Sequence, residues 1–357
     1  MGNIHIQYGN FEAADSNLSA ALRIRRANLR QNHPDIAITL QQLGFLNQRQ
    51  GNFQKAEQLY TEALAIFEEP GSDDPDNAMA AASLKNSLGK VLESTARYEE
   101  AEALYQEAVS YILTNLGDDH PRVINYLSNL GYVQLFLGDN KKAERYLTQS
   151  VETARKVWGN YHPHTAMTMA TYAALLFHQQ NYAEAVQINR EILSIYREFY
   201  GDDHPVISVI LNNLANNLDN LGKFAEAEEI HRESLSQRIA LYGSESHHVA
   251  QSYGNIGVTL RNMENYDLAL EYFHRALQIE IVVYGENHPE PAYSHLAIAY
   301  VHKLTGENKK SEEHYLRGYQ ILRDLFGDDN HETRDALGRL TRFYEDTGQP
   351  EKNDPEG

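Results

Sequence analysis

The residues of this chain best suited to holding another chain are asparagines: five between Asn212 and Asn220, with Asn129 and Asn255 elsewhere. An asparagine amide offers both a donor and an acceptor, which an extended peptide backbone requires, and asparagine is a poor helix former. Tyr132, Tyr293 and Tyr300 offer apolar anchors beside them, and Arg261 a cation. Catalytic chemistry has weaker candidates. Pairs such as Glu99-Glu100 and Glu228-Glu229 have the right type for general acid and base, but on solvated helix faces they serve solubility. Sixteen histidines invite a metal test. His162-Pro163-His164 and His247-His248 have ligand-like proximity, yet adjacent histidines at a helix start are expected to point apart, and zinc needs three or four convergent ligands. No Gly-x-x-x-x-Gly-Lys, Gly-x-Gly-x-x-Gly, His-Glu-x-x-His, Gly-x-Ser-x-Gly or EF-hand loop occurs. The reading is a non-enzyme with no catalytic residue, metal or cofactor.

Composition narrows the partners. The chain has 357 residues, with 31 Lys+Arg against 50 Asp+Glu for a formal charge of −19. An anionic chain gains nothing from counterion release, which argues against nucleic acid and against anionic membrane surfaces. With no cysteine there is no disulfide, thiolate zinc site or cysteine nucleophile. The longest apolar stretches, such as Tyr172 to Phe177, fall far short of the roughly 18 residues of a membrane span. The polar start MGNIHIQYGN lacks a signal-peptide layout, so a soluble, cytoplasmic protein is expected.

The elements that position these residues repeat. A Gly-x-aromatic turn has its first position at Gly9, Gly51, Ala96, Gly138, Gln180, Gly222, Glu264, Gly306 and Gly348, spaced by 42 apart from one step of 45. His-Pro recurs 18 residues before the turn at His33, His120, His162, His204 and His288. Such a period marks a solenoid of stacked units rather than separate globular domains. Each unit reads as two helices. Helix A opens at the proline, with histidine, Ser246 or Asn330 as N-cap; helix B follows the turn and stops at a glycine such as Gly117 or Gly201. Small residues fill one slot of each helix, Gly44 and Gly89 in helix A and Ala56 and Ala227 in helix B, so that the two backbones can approach.

These residues resemble the tetratricopeptide repeat family. Taking the small helix-A residue as slot 8, Leu43, Gly44, Gly51, Phe53, Ala56, Tyr60 and Ala63 match its pattern without a gap. The usual repeat has 34 residues. The 42-residue period, the Gly-Asp-Asp-His-Pro loops and Leu-Asn-Asn-Leu-Ala at 211–215 look like the kinesin-light-chain subtype. The resemblance implies an all-α, right-handed superhelical solenoid of antiparallel helix hairpins. On this frame, residues 1–32 are an N-terminal half repeat with a stub Met1 to Tyr8, either cut from a longer chain or packed on a partner. Residues 33–326 are seven complete repeats, 327–348 a C-terminal capping helix with a charged outer face, and 349–357 a disordered tail. The three extra residues read as a longer loop within Glu68 to Asn77.

The resemblance also implies that A helices line a concave groove and contact ligands through slots 2, 5, 6, 9, 12 and 13. Those slots hold Arg49, Lys90, Arg261 and Lys303 against Glu93 and Asp219, a groove near +2 that favours a neutral or acidic segment. Asn129, Asn213 and Asn255 share slot 6, where the family's asparagines commonly hold a ligand backbone, and Asn216 lies one turn on. Docking of a chaperone C-terminal tail is disfavoured: Asn216 and Asn255 fit two of the family's clamp positions, but Asn212, Tyr293 and Ala297 replace its cations. The expected function is a protein-interaction scaffold that binds a partner's peptide segment in the groove. The alternatives are a peptide-gated signalling regulator, or an interaction domain cut from a larger kinase or NTPase signalling protein.

Overall fold

The computed structural model describes residues 11–69 and 74–349. The stub Met1 to Tyr8, part of the insertion and the tail from Pro350 lie outside the described residues. Within them there are sixteen α-helices and no strand. The chain divides into two compact units, residues 1–180 and 181–357. The first holds α1 (Phe11–Asn28), α2 (Pro34–Arg49), α3 (Phe53–Phe67), α4 (Pro75–Ser94), α5 (Tyr98–Leu116), α6 (Pro121–Phe136), α7 (Asn140–Trp158) and α8 (Pro163–His178). The second holds α9 (Tyr182–Tyr200), α10 (Pro205–Asn220), α11 (Phe224–Tyr242), α12 (His247–Asn262), α13 (Tyr266–Tyr284), α14 (Pro289–Leu304), α15 (Asn308–Phe326) and α16 (His331–Asp346). No helix among the described residues is long and apolar enough to cross a membrane.

Local chemistry sets the helix ends. At His33, His120, His162, His204 and His288 the ring Nδ1 accepts the backbone N–H two residues on, at 3.1–3.3 Å, which requires a neutral ring with its proton on Nε2. Asp74 and Asn330 cap α4 and α16 through their side-chain oxygens. Ser246 departs from expectation: it makes no cap bond, and its hydroxyl donates instead to the Gly243 carbonyl at 3.3 Å. Between the hairpin helices, the turn residue sits at positive φ, as at Gly51 (77°) and Gly222 (73°). The pair of bonds Lys223 N–H to Leu218 O and Gly222 N–H to Asp219 O, both 2.9 Å, closes the helix end. Ala96, Gln180 and Glu264 hold the same left-handed conformation at φ 58–61°, where an L side chain is strained.

The insertion lengthens the connection as expected, with seven positions between Phe67 and Pro75 against four between Leu116 and Pro121, and the flanking helices also shift. α3 has 15 residues where α5 has 19, and α4 has 20 where α2 has 16. One helical turn has moved from a B helix to the next A helix, so Asp76 and Asn77 are helical.

Packing within a hairpin follows the small slot, but the glycine makes room for a ring rather than for the facing alanine. A Cβ at Gly44 would lie 2.6 Å from Tyr60 Cε1, and Gly89 meets Tyr105 and Gly257 meets Phe273 in the same way. The ring then reaches along helix A. Tyr60 donates its hydroxyl to Gln48 Oε1 at 3.0 Å and Tyr105 donates to Glu93 Oε2 at 2.9 Å. Leu40, Tyr60, Leu84, Tyr105 and Leu127 belong to one buried core in the first unit; Ile256, Phe273 and Ile298 belong to one in the second, and Leu296, Tyr315, Leu340 and Phe343 to another. Each large side chain so buried contributes about 1.5–3 kcal/mol.

Candidate functional site

The A-position helices α12, α14 and α16 wall a cavity of about 830 Å³ in the second unit, with α15 behind it. Helical spacing puts Val258 and Arg261 on one stripe of α12, and Tyr293, Ala297 and Tyr300 on one stripe of α14. Asp335, Arg339 and Arg342 form the matching stripe of α16. Three residues expected to contact a ligand, Arg261, Tyr293 and Tyr300, are therefore brought together. The α16 stripe is a correction: those charges, read from sequence as the outer face of a cap, line the cavity. Nothing in the pattern of a single terminal helix reveals which of its sides meets a neighbour.

Four cations (Arg261, Lys303, Arg339 and Arg342) and two carboxylates (Glu332 and Asp335) face this space. Arg339 Nε is 2.8 Å from Asp335 Oδ2, and the Lys303 ammonium pairs with Asp346. Tyr293 donates its hydroxyl to Glu332 Oε2 at 2.5 Å, and burial with that carboxylate raises the phenol pKa. The Arg261 guanidinium lies over the Tyr300 ring, 5.4 Å from its centroid, and donates to Asn262 Oδ1 at 2.9 Å; burial lowers its pKa from the ordinary value. Arg342 is exposed and has no partner among the described residues. The site thus presents one free cation and one that is stacked and half-buried.

The asparagines divide into two groups. Asn255 Nδ2 donates to Asn212 Oδ1 at 2.7 Å, and Asn129 Nδ2 donates to Asn86 Oδ1 at 2.9 Å in the first unit. These bonds join slot 6 of one A helix to slot 5 of the previous one, using part of the capacity that sequence reading assigned to a ligand. Asn217 and Asn220 donate to the Asn213 and Asn216 carbonyls of their own helix. The side chains of Asn213, exposed, and Asn216, half-buried, make no such bonds. Tyr132, in the first unit, packs edge-on to Phe136 at 5.1 Å, which stacks on Tyr98 at 4.6 Å.

Two acids counted in the groove charge are turned inward. Glu93 accepts from Tyr105, and Asp219 Oδ2 accepts from Thr259 Oγ1 at 2.7 Å and lies 3.2 Å from His231 Nε2. The histidine pairs also differ from expectation: the His247 and His248 rings do not point apart but lie 3.8 Å centroid to centroid. Among the described residues no three His, Asp or Glu side chains are arranged to hold a metal ion.

Known proteins share this architecture. The family model for the tetratricopeptide repeat matches residues 1–69, 79–156, 164–240 and 248–324. Tetratricopeptide repeat protein 19, mitochondrial, of Rattus norvegicus is 29% identical over 113 residues, covering 30% of this chain and 30% of that protein. The match thus spans under a third of that relative's length. The repeats of a putative kinesin light chain from Podospora anserina superpose with a TM-score of 0.52 at 18% identity, over 58% of this chain and 98% of that one. A Rap protein complexed with competence and sporulation factor gives 0.53 at 14% identity, over 90% and 95%. Repeats of this kind generally serve as non-catalytic scaffolds for protein–protein interaction. By the extent of the family match and by its hairpin geometry, this chain belongs to the tetratricopeptide repeat family.

Proposed function

We propose that the cavity of the second unit receives an acidic segment of a partner protein. The observation that carries this is the positive wall built on α12, α14 and α16 within a chain of charge −19. A carboxylate placed between Arg261 and Arg342 gains charge-assisted hydrogen bonds, and the Tyr293 and Tyr300 rings supply apolar contact. Asn213 and Asn216, with unused amides, suit the segment's main chain further along.

A phage-displayed random dodecapeptide library panned on the full chain at neutral pH tests this. Selected peptides, resynthesised with fluorescein, should be rich in Asp and Glu. Arg342→Glu should weaken them at least about tenfold, or about 1.4 kcal/mol. Asn213→Ala and Asn216→Ala should each cost about 1 kcal/mol. Basic winners, or affinity untouched by Arg342→Glu, would refute the site. The fold shared with a Rap protein complexed with competence and sporulation factor favours a second reading, in which the bound segment alters the array. Small-angle scattering with the selected peptide separates the two, because a passive scaffold keeps its profile.

A further inference from the structure

Among the histidines of the second unit that serve neither the caps nor the cavity wall, four lie together: His274 on α13, His295 and His302 on α14, and His314 on α15. His314 is the hub. Its ring centroid lies 5.0 Å from His295, 5.9 Å from His302 and 6.0 Å from His274. The Nδ1 atoms of His295 and His314 are 2.9 Å apart, so one ring donates its N–H to the other's lone pair. His302 is 5% exposed, and its Nδ1 lies 2.6 Å from Glu307 Oε2, a carboxylate also paired with Lys310. The remaining charges that face the group are Glu313 and Arg317 of α15. Burial first, and the neighbouring imidazoles second, hold His295 and His314 down to about 4.

The cluster forms the seam of the hairpin that backs the cavity. Each member on α14 or α15 stands next in sequence to a lining residue: His295 to Leu296, His302 to Lys303 and His314 to Tyr315. We infer that this seam is a proton-operated latch, in which uptake of two protons by the His295–His314 pair parts α14 from α15 and dismantles the cavity wall. The first proton, taken from solvent, adds to Nε2 of the donating ring and leaves the bond intact. A second must add to the accepting Nδ1, which sets N–H against N–H between two imidazolium rings. The sign follows from linkage. Between the ordinary value of 6.5 and about 4 the open form binds more protons, so the hairpin is fully stable above that window and loosens as pH falls through it. At pH 5 opening gains about 30-fold for each imidazole released, approaching ~1000-fold for the pair. Only the last step, release of a bound segment, rests on the proposed function.

Hydrogen exchange of the full chain at pH 7.5 and pH 5, corrected for intrinsic rates, tests the latch. Amides of α14 and α15 should lose at least about 30-fold protection relative to the α6–α7 hairpin, whose seam carries Ser128 and Ser150 instead. His314→Gln, which keeps a donor and an acceptor but cannot charge, should remove most of the difference. Should that variant fold poorly, proton NMR of the wild-type imidazoles decides, since two coupled midpoints below about pH 5 support the latch. Midpoints at the ordinary value, or equal exchange in both hairpins, overturn it. If the hairpin opens while the selected fluorescein peptide stays bound, the cavity reading falls and the latch stands.

Discussion

The same slot of helix B holds Phe67, Ile112 and Ala154 in the first unit, beside Arg25, and Arg238 and Glu280 in the second, beside Tyr196 and Leu322. The first three are buried apolar side chains. Arg238, 4% exposed, donates to His248 O, Gln251 Oε1 and Ser252 Oγ at 3.0 Å, with no carboxylate among these partners. Glu280, 7% exposed, has an Oε2 without a partner and is pushed up to about 7 by burial. The A-position helices show no such contrast: exposed Phe45, Phe136 and Met167 on the first unit have counterparts in Val209, Tyr293 and Tyr300 on the second. One backbone frame accepts either polarity. The second unit carries the fully buried ionisable side chains of this slot, at a cost, because an uncompensated buried charge is destabilising.

The contrast can be broken in four ways. If the frame is common, overpacking should hurt both units alike: Gly89→Val and Gly257→Val should each cost about 3 kcal/mol in denaturant melts, as should Ala227→Phe at its fully buried slot. Tolerance in one unit alone would mean that the hairpins are not equivalent. Restoring an apolar residue to the second unit should help it, with Arg238→Met and Glu280→Leu stabilising by about 1–2 kcal/mol. Glu280 also predicts a pH slope. Its folded pKa is raised from 4.5, so its contribution is complete below that value and disappears as pH rises through about 7. Glu280→Gln should flatten the decline in stability between pH 5 and pH 8; an unchanged slope would place the titrating group elsewhere. The smallest effect lies in the shared turns. Ala96→Gly and Glu264→Gly relieve left-handed strain and should each raise stability by about 0.5–1 kcal/mol, equally in the two units.

What sequence reveals here is whatever local chemistry decides. Proline at the first helical position, a histidine acceptor before it and glycine at positive φ act within a few residues of one another, so caps and turns are legible in the chain. Ser246 is the exception, because its hydroxyl had a second acceptor in the Gly243 carbonyl. The asparagine at slot 6 is legible as a residue, but its bond to slot 5 of the preceding unit is not, since Asn212 and Asn255 lie 43 residues apart. The histidine cluster is hidden for a stronger reason. His274, His295, His302 and His314 occupy unrelated slots on three helices, so no period links them and only packing brings them together.

The left-handed turn has a consequence for how such a chain can change length. Gly222 and Gly306 stand 84 residues apart with φ of 73° and 77° and face the same kind of downstream helix. Excising everything from one to just before the other would rejoin the backbone at matching φ, with no new loop to invent. Shortening or lengthening by whole modules thus preserves the left-handed turn at the splice and leaves the other turns as they were.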